Sequence, residues 1–280
     1  MKLKFIFIVF HFMLIAIVAS AIIAMFFIAG KESALDYWYI NLPILMVIAL
    51  FVAALDIFYA LHYRMISLLE REDWPALIEY LEQKIGLKGR YSRTQVQLLI
   101  NTYLVLSDTD SVINLENKLS KEKPELIEES ALTFGSARIL NRNITGAVRF
   151  FSERCASGEA KTPAKKKTWE HEWIQWFYGF SLLLDRQFPQ AEEQFNIVLK
   201  DSHDPLVLGL AAFFMVDVLA TAIPEHSSTL RLDAAAARNH IKKAVPTVSN
   251  WNKLLAKYQK YIHVVILTRY VHETASWIYG

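Results

Sequence analysis

The sequence predicts an all-α protein: two transmembrane helices, then a stack of helix pairs, then a C-terminal capping helix. Three observations carry this expectation. Hydrophobic residues make up 54% of the 280, and they are concentrated in the first 63 positions. From Arg64 onward apolar residues recur at spacings of three and four, and no alternating run bounded by turn residues appears. Within that stretch an aromatic–glycine pair, an alanine and a second aromatic return at one fixed spacing.

The first element is Phe5 to Gly30, which holds no Asp, Glu, Lys or Arg. At about 1.5 Å per residue it crosses a hydrocarbon core of about 30 Å. Lys2, Lys4 and Ala19-Ser20-Ala21 also fit a cleaved signal peptide, but the apolar run continues past that site to Gly30. The second element runs from Trp38 to Tyr63, with Trp38, Tyr39, Tyr59 and Tyr63 towards its ends, where aromatic rings favour the interface. Pro43 is expected in its first turn, where a missing N–H costs little. The link, Lys31 to Tyr37, is short, so the two helices form a hairpin.

Lys2 and Lys4 precede the hairpin, and Arg64 and Arg71 follow it. The positive-inside rule then places both ends and the large domain in the cytoplasm. The two-span design and the scarcity of cysteine suggest a bacterial inner membrane. His11 lies seven residues after Lys4, and Asp56 eight before Arg64. In an antiparallel hairpin both sit about 10–12 Å inside, at matched depth. Such a pair is either a proton or ion site or a contact that pairs the helices.

Helical segments follow, broken near Lys88–Arg90, Ser107–Thr109, Lys121–Pro124, Asn141–Asn143, Ser157–Lys167, Arg186–Pro189, Asp201–Pro205 and Pro224–Ser228. Asp204-Pro205 is a helix start, with an N-cap acceptor followed by proline at the first helical position. Phe134-Gly135 is followed by Ala147 and Phe151, and Tyr178-Gly179 by Ala191 and Phe195. In both copies the alanine comes twelve residues after the glycine and the aromatic four later. Ala76 and Tyr80 repeat the second half of the unit. Small residues let two antiparallel helices approach closely, and such pairs must stack to bury their apolar faces.

These units resemble the tetratricopeptide repeat (TPR), over roughly Arg64 to Val245 and in four or five copies. Trp169–Lys200 is the clearest, followed by Leu126–Cys155; Arg93–Leu119 has the lengths without the small residues. Gln175 stands where the family has a tryptophan, and Ala156 to Lys167 is an insertion. The domains expected are a hairpin at 1–63, a TPR-like α-solenoid at 64–245 with the insertion loop 156–167, and a cap at 246–280. The helix Leu61 to Arg71 continues the second transmembrane segment into the first pair. Leu206 to Ile223 carries one charge, Asp217, and reads as a buried repeat helix or a short third span. Asn250 to Tyr279 reads as one long capping helix.

The charge of +2 and the lack of a basic stripe give no support to nucleic-acid binding. There is no P-loop and no dinucleotide fingerprint. His171-Glu172-Trp-Ile-Gln175 begins like a zinc-protease helix, but glutamine replaces the second ligand. Cys155, the single cysteine, reads as a packing residue. Asn143-Ile-Thr145 matches a glycosylation acceptor at an expected helix start and carries no weight. No cofactor, metal or small-molecule substrate is indicated, and no enzyme activity is expected.

What remains is binding. The resemblance implies a groove lined by the inner faces of first helices, which takes peptides or partner helices. By repeat position its residues are Trp173, Trp176 and Phe180, then Leu206, Leu210 and Phe213. Either a partner protein fills this groove or the chain's own C-terminal helix does. Lys161, Lys165, Lys166 and Lys167 in the insertion either touch anionic headgroups or form a solvated loop. The expected role is a membrane-anchored adaptor that recruits proteins. The alternatives are a subunit of a larger membrane complex and an ion-coupled role for His11 and Asp56.

Overall fold

The computed structural model describes residues 3–88, 91–161 and 169–280, and every regular element among them is helical. Two units are present, Met1–Lys88 and Gly89–Gly280. The boundary thus falls after the second helix rather than after residue 63, and the C-terminal segment belongs to the second unit. The lysine cluster from Lys165 to Lys167 lies outside the described residues.

In the first unit α1 (Leu3–Glu70) is broken at Gly30, with φ 76° and ψ 168°. The arms 3–29 and 31–70 run back against each other, for Phe7 stacks on Tyr59 at 4.2 Å and His11 meets Asp56. The expected link from Lys31 to Tyr37 is therefore helical. The reversal takes a single residue, because glycine has no Cβ to oppose a positive φ. The second arm consequently starts earlier than expected, and Pro43 lies in a helix interior, where it withholds a backbone donor. Both arms are long and apolar enough to cross a membrane, and none of either span is buried inside the structure. The second arm continues to Glu70 and packs against α2 (Trp74–Lys88).

The second unit begins with α3 (Arg93–Val105), α4 (Thr109–Glu122), the short α5 (Pro124–Glu129), α6 (Ala131–Leu140) and α7 (Ile144–Lys161). Then come α8 (Trp169–Leu184), α9 (Phe188–Asp201) and α10 (Pro205–Phe214). Neighbours in sequence pack in pairs: α3 on α4, α6 on α7, α8 on α9. The first helices of successive pairs also touch, α3 with α6, α6 with α8 and α8 with α10. The expected insertion is shorter than the sequence suggests, because α7 continues to Lys161.

One turn recurs four times. Glu72, Ser107, Arg142 and Arg186 adopt φ of 55°, 59°, 57° and 59° at the ends of α1, α3, α6 and α8. Each N–H donates to the carbonyl three residues back, and the following N–H donates to the carbonyl five back, as in Asn143 to Arg138. This is the Schellman closure, which satisfies carbonyls that a helix end leaves unpaired. A non-glycine residue strains to adopt it, at roughly 1–2 kcal/mol. The next residue then starts the following helix: the carboxylates of Asp73 and Asp108 and the side-chain amide oxygen of Asn143 each accept the backbone N–H three residues on. The turns are 35, 35 and 44 residues apart.

Counted from these turns, Leu77 and Leu81 stand where Ala147 and Phe151 stand in the later pair. Both leucines are fully buried, whereas Ala76 and Tyr80 are partly exposed. The register of this first copy is thus one residue later than the alanine–aromatic match suggests. In the two clear copies the second aromatic lies on its own pair's glycine. A Cβ at Gly135 would fall 2.1 Å from Phe151 Cζ, and one at Gly179 would fall 2.9 Å from Phe195 Cε1. Each aromatic also stacks on the next first helix, Phe151 on Phe177 and Phe195 on Phe214.

Residues 205–222 form one rod, about two thirds buried (67%), which is also long and apolar enough to cross a membrane. α10 passes into a π-helical turn at Met215–Leu219 and ends in α11 (Ala220–Ala222). The widened turn keeps Met215 and Leu219 buried while Asp217 faces solvent. A 3-10 turn leads to α12 (Ser227–Ala244), which packs on α10. The expected single C-terminal helix is three: α13 (Val248–Tyr258), α14 (Ile262–Val265) and α15 (Thr268–Tyr279). The bends let Tyr258, Tyr261 and His263 gather around Trp169, with ring centroids 5.8, 4.7 and 5.6 Å away.

Candidate functional site

In the first unit the two expected polar residues meet. His11 Nε2 lies 2.9 Å from Asp56 Oδ1, and His11 Nδ1 lies 2.8 Å from the Phe7 carbonyl oxygen. A carbonyl only accepts, so Nδ1 carries a proton, and contact with Asp56 requires a second proton between the ring and the carboxylate.

In the second unit all six groove residues are buried. Trp173, Trp176, Leu206 and Leu210 are fully inaccessible, and Phe180 and Phe213 nearly so. At Trp173 and Phe180 part of the cover comes from the chain's own C-terminal segment. His263 and Tyr258 lie against Trp173, and Tyr270 against Phe180. Trp251, Thr274 and Ile278 close over Gly209. Of the two occupants the sequence allowed for this face, the intramolecular one is therefore in place.

A polar network holds that cover, built around Asp204, the N-cap expected from the sequence, and around Glu172, whose part the sequence did not indicate. The Glu172 carboxylate on α8 accepts from Ser202 Oγ at 2.5 Å and from the backbone N–H groups of His203 and Asp204 at 3.2 and 3.0 Å. This explains the buried glutamate of the His171–Gln175 stretch as a cap for the α9–α10 turn. Asp204 in turn accepts from Leu206 N–H as an N-cap, and from Trp169 Nε1 at 2.9 Å and Tyr258 OH at 2.7 Å. Burial pushes the Asp204 carboxyl up, against the pull of these donors, and burial with the Asp204 hydrogen bond raises Tyr258. Cys155 is buried, in keeping with a packing role.

The cover stops short of α3. There a cavity of about 380 Å³ remains, lined by Arg93, Gln97 and Asn101 of α3, Ser130 and Thr133 at the α5–α6 break, and Trp169 with Glu170 on α8, and closed by residues 260–263. Three of the residues that line it carry a buried polar atom without a partner: Asn101 Oδ1, Ser130 Oγ and His263 Nε2. Burial pushes the His263 imidazole down to about 3, so it is neutral. At the rim Arg93 pairs with Glu170 at 2.9 Å, and Glu128 with Arg154 at 2.8 Å. Nothing in the local sequence marks Ser130 or His263, since neither belongs to a spaced motif.

Comparison with known proteins gives two matches. A family model described as "Uncharacterised Treponema protein" covers residues 111–280, more than half of the chain. An uncharacterized protein of Treponema pallidum (strain Nichols) is 23% identical over 227 residues, which span 79% of this chain and 70% of that protein. No solved structure matches.

Proposed function

The chain belongs to this Treponema family, and we propose that it is a membrane-anchored, non-enzymatic scaffold. In this reading α1 is a two-span hairpin in the bacterial inner membrane. The helix pairs behind it form a TPR-like solenoid on the cytoplasmic side, and the uncovered part of its first-helix face recruits other proteins.

The observation that carries the reading is the turn repeated at Glu72, Ser107, Arg142 and Arg186. Its spacings of 35, 35 and 44 residues sit at or above the TPR period of about 34. The longest contains the expected insertion. Contacts between consecutive first helices are what a stack of pairs requires. Lys2 and Lys4 before the arms, and Arg64 and Arg71 after them, support cytoplasmic ends. A protein-binding role rests on the use of such stacks generally.

The test is cross-linking in cells with photo-reactive residues at Gln97 and Thr133, on the open side of the face. Specific protein adducts at both positions support recruitment there. Adducts only within the chain, or only to lipid, end that reading. A second reading, an ion-coupled role, is favoured by the His11–Asp56 contact. Asp56→Asn combined with His11→Ala abolishes function in that case, and leaves it intact if the hairpin is only an anchor.

A further inference from the structure

We infer that the outer face of α13 docks on anionic phospholipid headgroups, with Lys253 and Lys257 as its contacts. The inference begins with the distribution of charge. Residues 234–272 hold seven Lys and Arg and no Asp or Glu. The rest of the chain holds 23 Lys and Arg against 28 Asp and Glu, so it is negative by five. The whole-chain charge of +2 conceals this polarity.

Helix geometry gathers part of that charge on one side. In α13 Trp251 and Leu255 are buried, whereas Lys253, Ala256 and Lys257 are exposed. At 3.6 residues per turn Lys253 stands about 160° round the helix from both buried residues, and Lys257 lies one turn on, about 6 Å along the axis. Among the described residues neither lysine is in an ion pair, and the same holds for Lys242 and Lys243 at the end of α12. The other cations of the stretch are engaged. Arg238 donates to the Ile278 carbonyl, and Arg269 pairs with Glu273. The Lys260 ammonium lies 4.9 Å from the Tyr261 ring centroid, and Lys260 lines the cavity that Glu129 and Glu170 also line. No unbroken basic run marks the face in the sequence, because Lys253 and Lys257 stand four positions apart.

The occupant follows from where the chain is held, so the inference rests on the membrane-anchor reading. Two arms long and apolar enough to cross a membrane keep the second unit at high effective concentration over headgroups. Two contacts then suffice, since each lysine near an anionic leaflet shifts the docked-to-free ratio by about fivefold. Lysine suits this partner, being a point charge on a flexible stem that needs no fixed geometry. Nucleic acid suits the face less. Single strands are held by aromatic rings that stack on bases, and Tyr258 and Tyr261 of this segment lie against Trp169 instead.

The experiment uses the full chain in lipid nanodiscs, made of phosphatidylcholine alone or with one third phosphatidylglycerol. Cys155 is buried, so the cysteine of Ala256→Cys takes a fluorophore selectively, with wild type as the labelling control. A nitroxide carried on a lipid headgroup quenches the fluorophore where α13 docks. The docked-to-free ratio is expected to be at least about tenfold higher with phosphatidylglycerol. It is expected to return to the phosphatidylcholine level in about 1 M sodium chloride, where the Debye length is about 3 Å. Lys253→Gln with Lys257→Gln is expected to lower it about thirtyfold while the thermal melt stays in place.

Equal quenching in the two lipid mixtures overturns the inference, and so does full quenching in the double variant. Release by an equal charge of poly-L-glutamate assigns the face to an acidic protein, and release by a single-stranded oligonucleotide assigns it to nucleic acid; either result overturns it. Alkaline carbonate extraction tests the anchor separately. If the chain leaves the bilayer there, the anchor reading falls, and the labelled chain is added to vesicles of the same two compositions. Quenching on the phosphatidylglycerol vesicles alone then retains the docking face, and quenching on neither overturns it.

Discussion

Gly135→Ala tests the packing on which the paired-helix reading depends. A Cβ there would lie 2.1 Å from Phe151 Cζ, and 2.6 and 2.7 Å from Cε1 and Cε2. Carbon atoms settle at about 3.5 Å or more, so the ring tip must retreat by roughly 1.4 Å. Phe151 is fully buried and stacks on Phe177 with centroids 5.5 Å apart, so its retreat is passed to the next pair. Overpacking of this kind costs about 1–3 kcal/mol, while alanine in a helix recovers close to 1 kcal/mol over glycine. With so large a retreat taken at the upper end of that range, the expected net loss is about 2 kcal/mol. At Gly179 the approach is 2.9 Å and the retreat roughly 0.6 Å, so Gly179→Ala is expected to be near neutral. Shortening the ring, Phe151→Leu, should rescue Gly135→Ala, with a coupling of about 1 kcal/mol or more in the double-mutant cycle. Guanidinium unfolding of the detergent-solubilised chain, followed by tryptophan fluorescence, measures all four. Wild-type stability for Gly135→Ala, or a larger loss at Gly179 than at Gly135, would refute the argument.

Two further outcomes follow from the covered face. His263 titrates near 3 when folded against an ordinary 6.5, so its contribution is complete above pH 6.5 and is lost as pH falls towards 3. The loss approaches about 1.4 kcal/mol per pH unit. Asp204, raised by burial, acts in the opposite sense, so the difference between wild type and His263→Phe isolates the histidine; a pH-independent difference between 6.5 and 4 would disprove it. Glu172→Ala strips the acceptor from Ser202 Oγ and from two backbone N–H groups, and is expected to cost about 3 kcal/mol, with Glu172→Gln losing less. A fall in melting temperature no larger than that of an exposed control, Glu153→Ala, would remove Glu172 from its capping role.

Much of the architecture was legible because it is local. Helix class follows from spacings of three and four, and the two arms from long uncharged runs. The meeting of His11 and Asp56 follows from counting residues back from the flanking charges. Close approach at Gly135 and Gly179 follows from repeated spacing, but not that the rings of Phe151 and Phe195 rest on those glycines. The recurring turn escaped, because Glu72, Ser107, Arg142 and Arg186 share a backbone conformation and not a residue type. The break at Ser130 escaped as well, since no glycine or proline marks it.

What the sequence by itself determined is therefore the helical class, the apolar faces and the small residues that let helices approach. Only the tertiary structure decided what covers those faces. Trp173, Phe180 and Gly209 offer the same surface whether they meet a partner or their own chain. Contacts with residues some 40 to 90 positions away, from Trp251 to Ile278, cover them here. Periodicity describes one helix at a time. Coverage and the unfilled cavity beside it arise from pairings between distant segments, which local spacing does not encode.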